Sequence, residues 1–126
     1  MSESRSVLVV EDDPNARRMM RRALERRGYT VIDRDNGADG LEAIHAERPD
    51  IVLLDLRMPG ELSGLAVTRR AKSDPSTAGI PIVIVSASVH ADARQLTESS
   101  GCDAFVEKPV DFDLLEQTMQ GLLKCD

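Results

Sequence analysis

The stretch Val7-Leu8-Val9-Val10-Glu11-Asp12-Asp13-Pro14 sets four consecutive aliphatic residues directly against three acids and a proline. Apolar residues on successive rather than alternate positions fit a strand covered by helices on both faces. The acids then fall at that strand's carboxyl end. Pro14, preceded by Asp13 as a cap, suits the first position of a helix. The segment reads as a central strand, an acidic turn and a helix.

The same rhythm recurs along the chain. Short runs predict further strands over Thr30 to Asp33, Ile51 to Leu54, Ile82 to Val85 and Ala104 to Val106. Between them lie helical stretches. The first runs from Pro14 to Gly28 with Ala16, Met20, Ala23 and Leu24 inward, and the second carries Ala38, Leu41 and Ile44 before Pro49. Gly64 to Lys72 is the third, closed by Ser73-Asp74-Pro75-Ser76. His90 to Ser99, ended by Gly101, is the fourth and has the thinnest apolar stripe; Asp111 to Lys124 is the fifth, with Leu115, Met119, Leu122 and Leu123 on one face. Such alternation predicts a three-layer α/β fold, with a doubly wound five-stranded parallel sheet and five helices. One domain over residues 1–126, with a core over about residues 6–124, accounts for the whole sequence.

Composition narrows the function classes. With 22 acidic against 16 basic residues, the net charge of −6 disfavours a general nucleic-acid binder, which needs a cationic surface to release counterions. Tyr29, Phe105 and Phe112 are the only aromatic residues, a poor platform for stacking bases. Aliphatic runs of four residues are far short of the roughly 20 a membrane-spanning helix requires. Met1 to Ser6 has no secretory pattern, and Cys102 and Cys125 lack ligand or redox spacing, so a cytoplasmic location with reduced thiols is expected.

In a parallel sheet of this kind, function gathers at the carboxyl ends of the strands. That rim holds Glu11, Asp12 and Asp13 after the first strand, Asp55 after the third, Ser86 after the fourth and Lys108-Pro109 after the fifth. Carboxylates from neighbouring strand ends repel one another unless a cation joins them. Asp12 and Asp55 are hard oxygen ligands, and few carboxylates with several waters suit Mg²⁺. With such an ion bound, Asp55 stays ionised and can attack phosphorus. Ser86 can donate its hydroxyl to a phosphoryl oxygen, and Lys108 can pair with Asp55 before reaction and with the phosphoryl group afterwards.

Together with Val52-Leu53-Leu54-Asp55-Leu56-Arg57-Met58-Pro59-Gly60, Ile84-Val85-Ser86-Ala87 and Phe105-Val106-Glu107-Lys108-Pro109, the opening stretch closely resembles the receiver domains of bacterial two-component response regulators, in their single-domain chemotaxis-type form. The resemblance covers nearly the whole chain. It implies the flavodoxin-like strand order 2-1-3-4-5. It makes Asp55 the phospho-acceptor and Asp12 a direct Mg²⁺ ligand. Glu11 would act on a water held by the metal, and the Arg57 backbone carbonyl would complete the protein ligands. Ser86 and Lys108 would bind the phosphoryl group, with the bond before Pro109 cis. Ser86 and Phe105 would form the conformational switch, remodelling the face made by the fourth helix, fifth strand and fifth helix.

The chain departs from the family pattern in places. One extra residue lies in Gly60-Glu61-Leu62-Ser63, Ser86 stands where threonine is more frequent, and Phe105 lacks the hydroxyl of the commoner tyrosine. Arg57 and Ser88 flank the phosphoryl site by analogy. The first helix carries Arg17, Arg18, Arg21, Arg22, Arg26 and Arg27. These form a solvated face or dock a phosphodonor, which by resemblance is a histidine kinase or a histidine phosphotransfer protein. The expected protein is a phosphorylation-activated switch, monomeric or weakly dimeric, that signals by protein contact without binding nucleic acid or inserting into membrane. It assists its own phosphoryl transfer and dephosphorylation rather than turning over a substrate. A receiver module excised from a DNA-binding regulator or hybrid kinase would read the same way. A haloacid-dehalogenase-like phosphatase would need a second aspartate where Arg57 stands, and the acids after the first strand would repel a flavin phosphate.

Overall fold

In the computed structural model, which describes residues 5–58, 60, 62–87 and 101–123, each continuous apolar run is a strand. The elements are β1 (Ser6–Val10), α1 (Pro14–Arg26), β2 (Thr30–Arg34), α2 (Gly37–Glu47), β3 (Ile51–Asp55), α3 (Gly64–Ser73), β4 (Ile82–Ser86), β5 (Ala104–Glu107) and α4 (Phe112–Leu123). Every strand pair is parallel. The sheet order is β2-β1-β3-β4-β5, so consecutive strands fan out to either side of β1. The helix expected over His90 to Ser99 lies outside the described residues, among which there are four helices.

The pleat explains why the central strands are apolar throughout. Val7, Val9, Ile51, Leu53, Val83 and Val85 point to one face, where Met20 and Leu24 of α1 and Leu115, Met119 and Leu123 of α4 cover them. Leu8, Val10, Val52, Leu54, Ile82 and Ile84 point to the other, beneath Ala43 and Ile44 of α2 and Val67 and Ala71 of α3. A strand with no solvent face has no position for a polar residue until it leaves the sheet.

Local chemistry starts the helices where the sequence places them. Asp13 caps α1 by accepting the Asn15 N–H at 3.0 Å, with Pro14 following. Asn36 and Ser63 cap α2 and α3 in the same way, at 2.8 Å from the Asp39 nitrogen and 3.2 Å from the Ala66 nitrogen. α1 stops at Arg26 rather than continuing to Gly28, whose φ of 95° suits the end of a helix. Beyond its last turn Arg27 reaches α4, with nitrogens 2.8 Å from Glu116 and 3.1 Å from Asp113.

The buried face of α2 differs from the expectation. Ala38 is exposed, and the inward stripe is Gly37, Gly40, Ala43 and Ile44. Glycine brings the helix axis close to the sheet here: a Cβ on Gly40 would stand 2.9 Å from a methyl of Val10. No helix among the described residues is long and apolar enough to cross a membrane.

Candidate phosphoryl and cation site

Strand register delivers the rim residues to one place. Asp55 pairs with Val85, and Ser86 with Glu107, so the carboxyl ends of β3, β4 and β5 finish side by side. The Lys108 N–H donates to the Ser86 carbonyl at 2.8 Å, and the Leu56 N–H to the Val85 carbonyl at 3.0 Å, which extends the sheet's alignment into the loops. The Lys108–Pro109 bond is cis.

Carboxylate oxygens of Glu11, Asp12 and Asp55 all lie within 4.8 Å of one another. Glu11 and Asp55 are buried, at 2% and 7% exposure, and Asp12 is the most exposed of the three. Glu11 is held from several sides. Its N–H donates to the Arg34 carbonyl at 3.1 Å, and its Oε2 accepts the Asp13 N–H at 3.2 Å. Its Oε1 accepts from Lys108 Nζ at 3.0 Å, and its carbonyl from Arg17 Nη1 at 2.9 Å.

Lys108 also lies 3.4 Å from Asp55 Oδ2, so one ammonium bridges two buried acids. The expected pair with Asp55 is present, and Glu11 is a second, closer partner. Burial alone would lower the Lys108 pKa, but the hydrogen bond to Glu11 and the charges of Asp55 and Glu11 outweigh it and hold the ammonium above its ordinary range. Asp55 Oδ1 accepts a longer hydrogen bond, 3.4 Å, from the Arg57 N–H.

Asp55, Arg57, Ser86, Ala87 and Lys108 line a cavity of about 260 Å³. Ser86 is buried at 3% exposure, while Arg57 is exposed at the cavity's edge. Phe105 stands apart from this cavity. It pairs with Ile84 in the sheet, is half-buried, and lines a groove with Pro109, Leu114 and Thr118. His45 lies 3.7 Å from Asp74, outside the carboxylate cluster, and His90 and Ser88 lie outside the described residues.

The donor set fits a hard divalent cation. Three carboxylates face one ammonium, leaving an excess of negative charge in a partly desolvated site. At about 4 Å, two like charges repel by roughly 4 kcal/mol at an effective dielectric near 20. Oxygen ligands in this number, open toward water on the Asp12 side, suit Mg²⁺.

This geometry agrees with comparison to known proteins. Residues 7–120 match the response regulator receiver domain. The chain belongs to that family. PilH of Pseudomonas aeruginosa is 33% identical over 117 residues, covering 93% of this chain and 96% of that protein. The polar-differentiation response regulator DivK of Brucella anthropi is 32% identical over 119 residues, covering 94% of this chain and 96% of that protein. The signal receiver domain of a signal transduction histidine kinase from Syntrophus aciditrophicus superposes with a TM-score of 0.87 at 28% identity, over 95% of this chain and 90% of that one. The protein is thus a receiver domain of two-component signalling, a phospho-acceptor class rather than one of conventional enzymes.

Two features of this receiver escaped the sequence. Ala87 lines the cavity, and Arg17 alone among the five arginines of α1 turns onto the acidic loop. Arg21 pairs with Glu25 and Asp33, and Arg27 with α4. Arg18, Arg22 and Arg26 remain exposed along one face beside Met19, which is 61% exposed.

Proposed function

We propose that this chain is a single receiver domain, residues 1–126 with its core over about 6–124, that accepts a phosphoryl group on Asp55 and signals by protein contact. The observation that carries this is the buried Asp55 carboxylate beside Lys108 at 3.4 Å, at a cavity shared with Ser86 and adjoining Glu11 and Asp12. That the chain covers 96% of PilH and 96% of DivK supports a stand-alone regulator.

Asp12, Asp55, the Arg57 carbonyl and Glu11, the last acting on a metal-bound water, would hold Mg²⁺. When bound, the ion would supply positive charge to offset that of the transferring phosphoryl oxygens. An Asp55 oxygen attacks phosphorus in line, the bond to the donor histidine nitrogen breaks, and that nitrogen leaves with its electron pair. Lys108 shifts from the acids to a phosphoryl oxygen, and Ser86 donates its hydroxyl to another. Movement of Ser86 frees space toward Phe105, which turns inward and reshapes the groove along β5 and α4. Leu114, 56% exposed, gives the groove an apolar anchor for a downstream protein.

The donor is a histidine kinase or histidine phosphotransfer protein that docks on the exposed arginine face of α1. The location is cytoplasmic, where such donors act, and the protein is monomeric or weakly dimeric. Incubation with acetyl phosphate and Mg²⁺ tests the site: intact-mass measurement should show one added phosphoryl group, lost in Asp55→Ala and on chelation. Labelling that persists in Asp55→Ala overturns the assignment.

A further inference from the structure

We propose that Arg17 is a positioning residue for the cation site, acting through the backbone on Asp12; the inference rests on the reading of Glu11, Asp12 and Asp55 as that site. The Glu11 N–H makes the last bond of the β1–β2 ladder, to the Arg34 carbonyl at 3.1 Å, so the turn from the Glu11 carbonyl to Asp13 lies beyond the sheet. Each of its peptide groups is instead tied down individually. The Glu11 carbonyl accepts from Arg17 Nη1 at 2.9 Å, the Asp13 N–H donates to Glu11 Oε2 at 3.2 Å, and the Asp13 carbonyl accepts the Arg17 N–H at 2.9 Å. Arg17 makes two of these three contacts, one with its side chain and one as the first intrahelical bond of α1.

The peptide groups on both sides of Asp12 are therefore held, and with them the direction in which its carboxylate leaves the chain. Without this hold, repulsion from Glu11 and Asp55 would favour swinging Asp12 outward, since it is the most exposed of the three acids. The guanidinium gives a charge-assisted bond to the Glu11 carbonyl rather than to any of the three carboxylates of the cluster. Loss of a group that orients a metal ligand typically weakens binding by about 10-fold to 100-fold.

The sign of the effect separates positioning from simple charge. Were Arg17 only a positive charge near a cation site, its removal would relieve repulsion and Mg²⁺ would bind more tightly. Removal of a positioning group makes binding weaker. Calorimetric titration of the intact, unphosphorylated chain with Mg²⁺ at fixed ionic strength should show the Arg17→Met Kd rising about tenfold, with Arg17→Lys, which keeps one donor, recovering part of the loss. A Kd in Arg17→Met equal to or below that of the unmodified chain overturns the inference. If Arg17→Met does not fold by circular dichroism, Arg17→Gln is decided by the same sign. Titration of Asp12→Asn alongside keeps the two readings apart: Mg²⁺ binding unaffected by Asp12→Asn overturns the cation site itself, whereas binding lost there but untouched by Arg17→Met overturns only the role of Arg17.

Discussion

Lys108 and Glu11, 97 residues apart in sequence, meet at 3.0 Å inside the acidic rim, closer than Lys108 approaches Asp55. The ammonium thus offsets part of the negative charge that a divalent cation would otherwise meet. Lys108→Met should separate the two cations. Phosphoryl transfer from acetyl phosphate should slow by about 100-fold, as for loss of one preorganised electrostatic partner. Mg²⁺ should bind several-fold more tightly, because the acids lose their internal counter-charge. Stopped labelling kinetics and calorimetry measure the two effects independently.

The same pair sets a pH dependence. A group whose pKa is raised in the folded state contributes stability that is complete below its unfolded value, here 10.5, and is lost as pH climbs through the folded value. The stability difference between the unmodified chain and Lys108→Met should therefore stay constant from about pH 7 to about pH 9 and decline only in the alkaline range above the ordinary lysine value. Urea denaturation across that range checks the sign; a difference that grows at high pH would contradict it.

Gly40→Ala opposes two effects of known size. Alanine is favoured over glycine inside a helix by about 1 kcal/mol. Its methyl would meet the two Val10 methyls at 2.9 and 3.0 Å, and Val10 is a stiff, buried, β-branched side chain with nowhere to retreat. Overpacking should win, with a net loss of about 1 to 3 kcal/mol in urea denaturation. Adding Val10→Ala should recover part of the strain even though it removes buried surface, so the two changes should be strongly non-additive.

Mg²⁺ should stabilise the fold by binding the native acids. At 100 times its Kd the gain is about 2.7 kcal/mol. Asp55→Asn should raise stability in chelator, by removing one charge from the cluster, while shrinking the further gain from Mg²⁺. Thermal melts with and without the ion give both quantities, and an unchanged Mg²⁺ increment in Asp55→Asn would speak against Asp55 as a ligand.

Much of this was legible from residue order because the central strands are covered on both sides. Val7 to Val10, Ile51 to Leu54 and Ile82 to Val85 carry no polar interruption until the sheet ends, so the reactive residues mark their own positions. The face of α2 was not legible, since Gly40 against Val10 of β1 and Gly37 against Leu62 bear no hydrophobic signal, and Ala38 completed a misleading stripe. Partner choice was also hidden. Nothing in composition distinguishes Arg17 from the four other arginines of α1, and only the folded turn brings Glu11 rather than Asp55 into shorter range of Lys108.

Arg27 joins the tail of α1 to α4 through Asp113, whose side chain is 83% exposed, and Glu116, at 23%. Pairs so open to water weaken as salt rises, whereas the buried acids at the rim are far less screened. The first and last helices are thus laced by a fastening that ionic strength can loosen, and the helix proposed to receive the donor and the helix proposed to meet the downstream partner share that fastening.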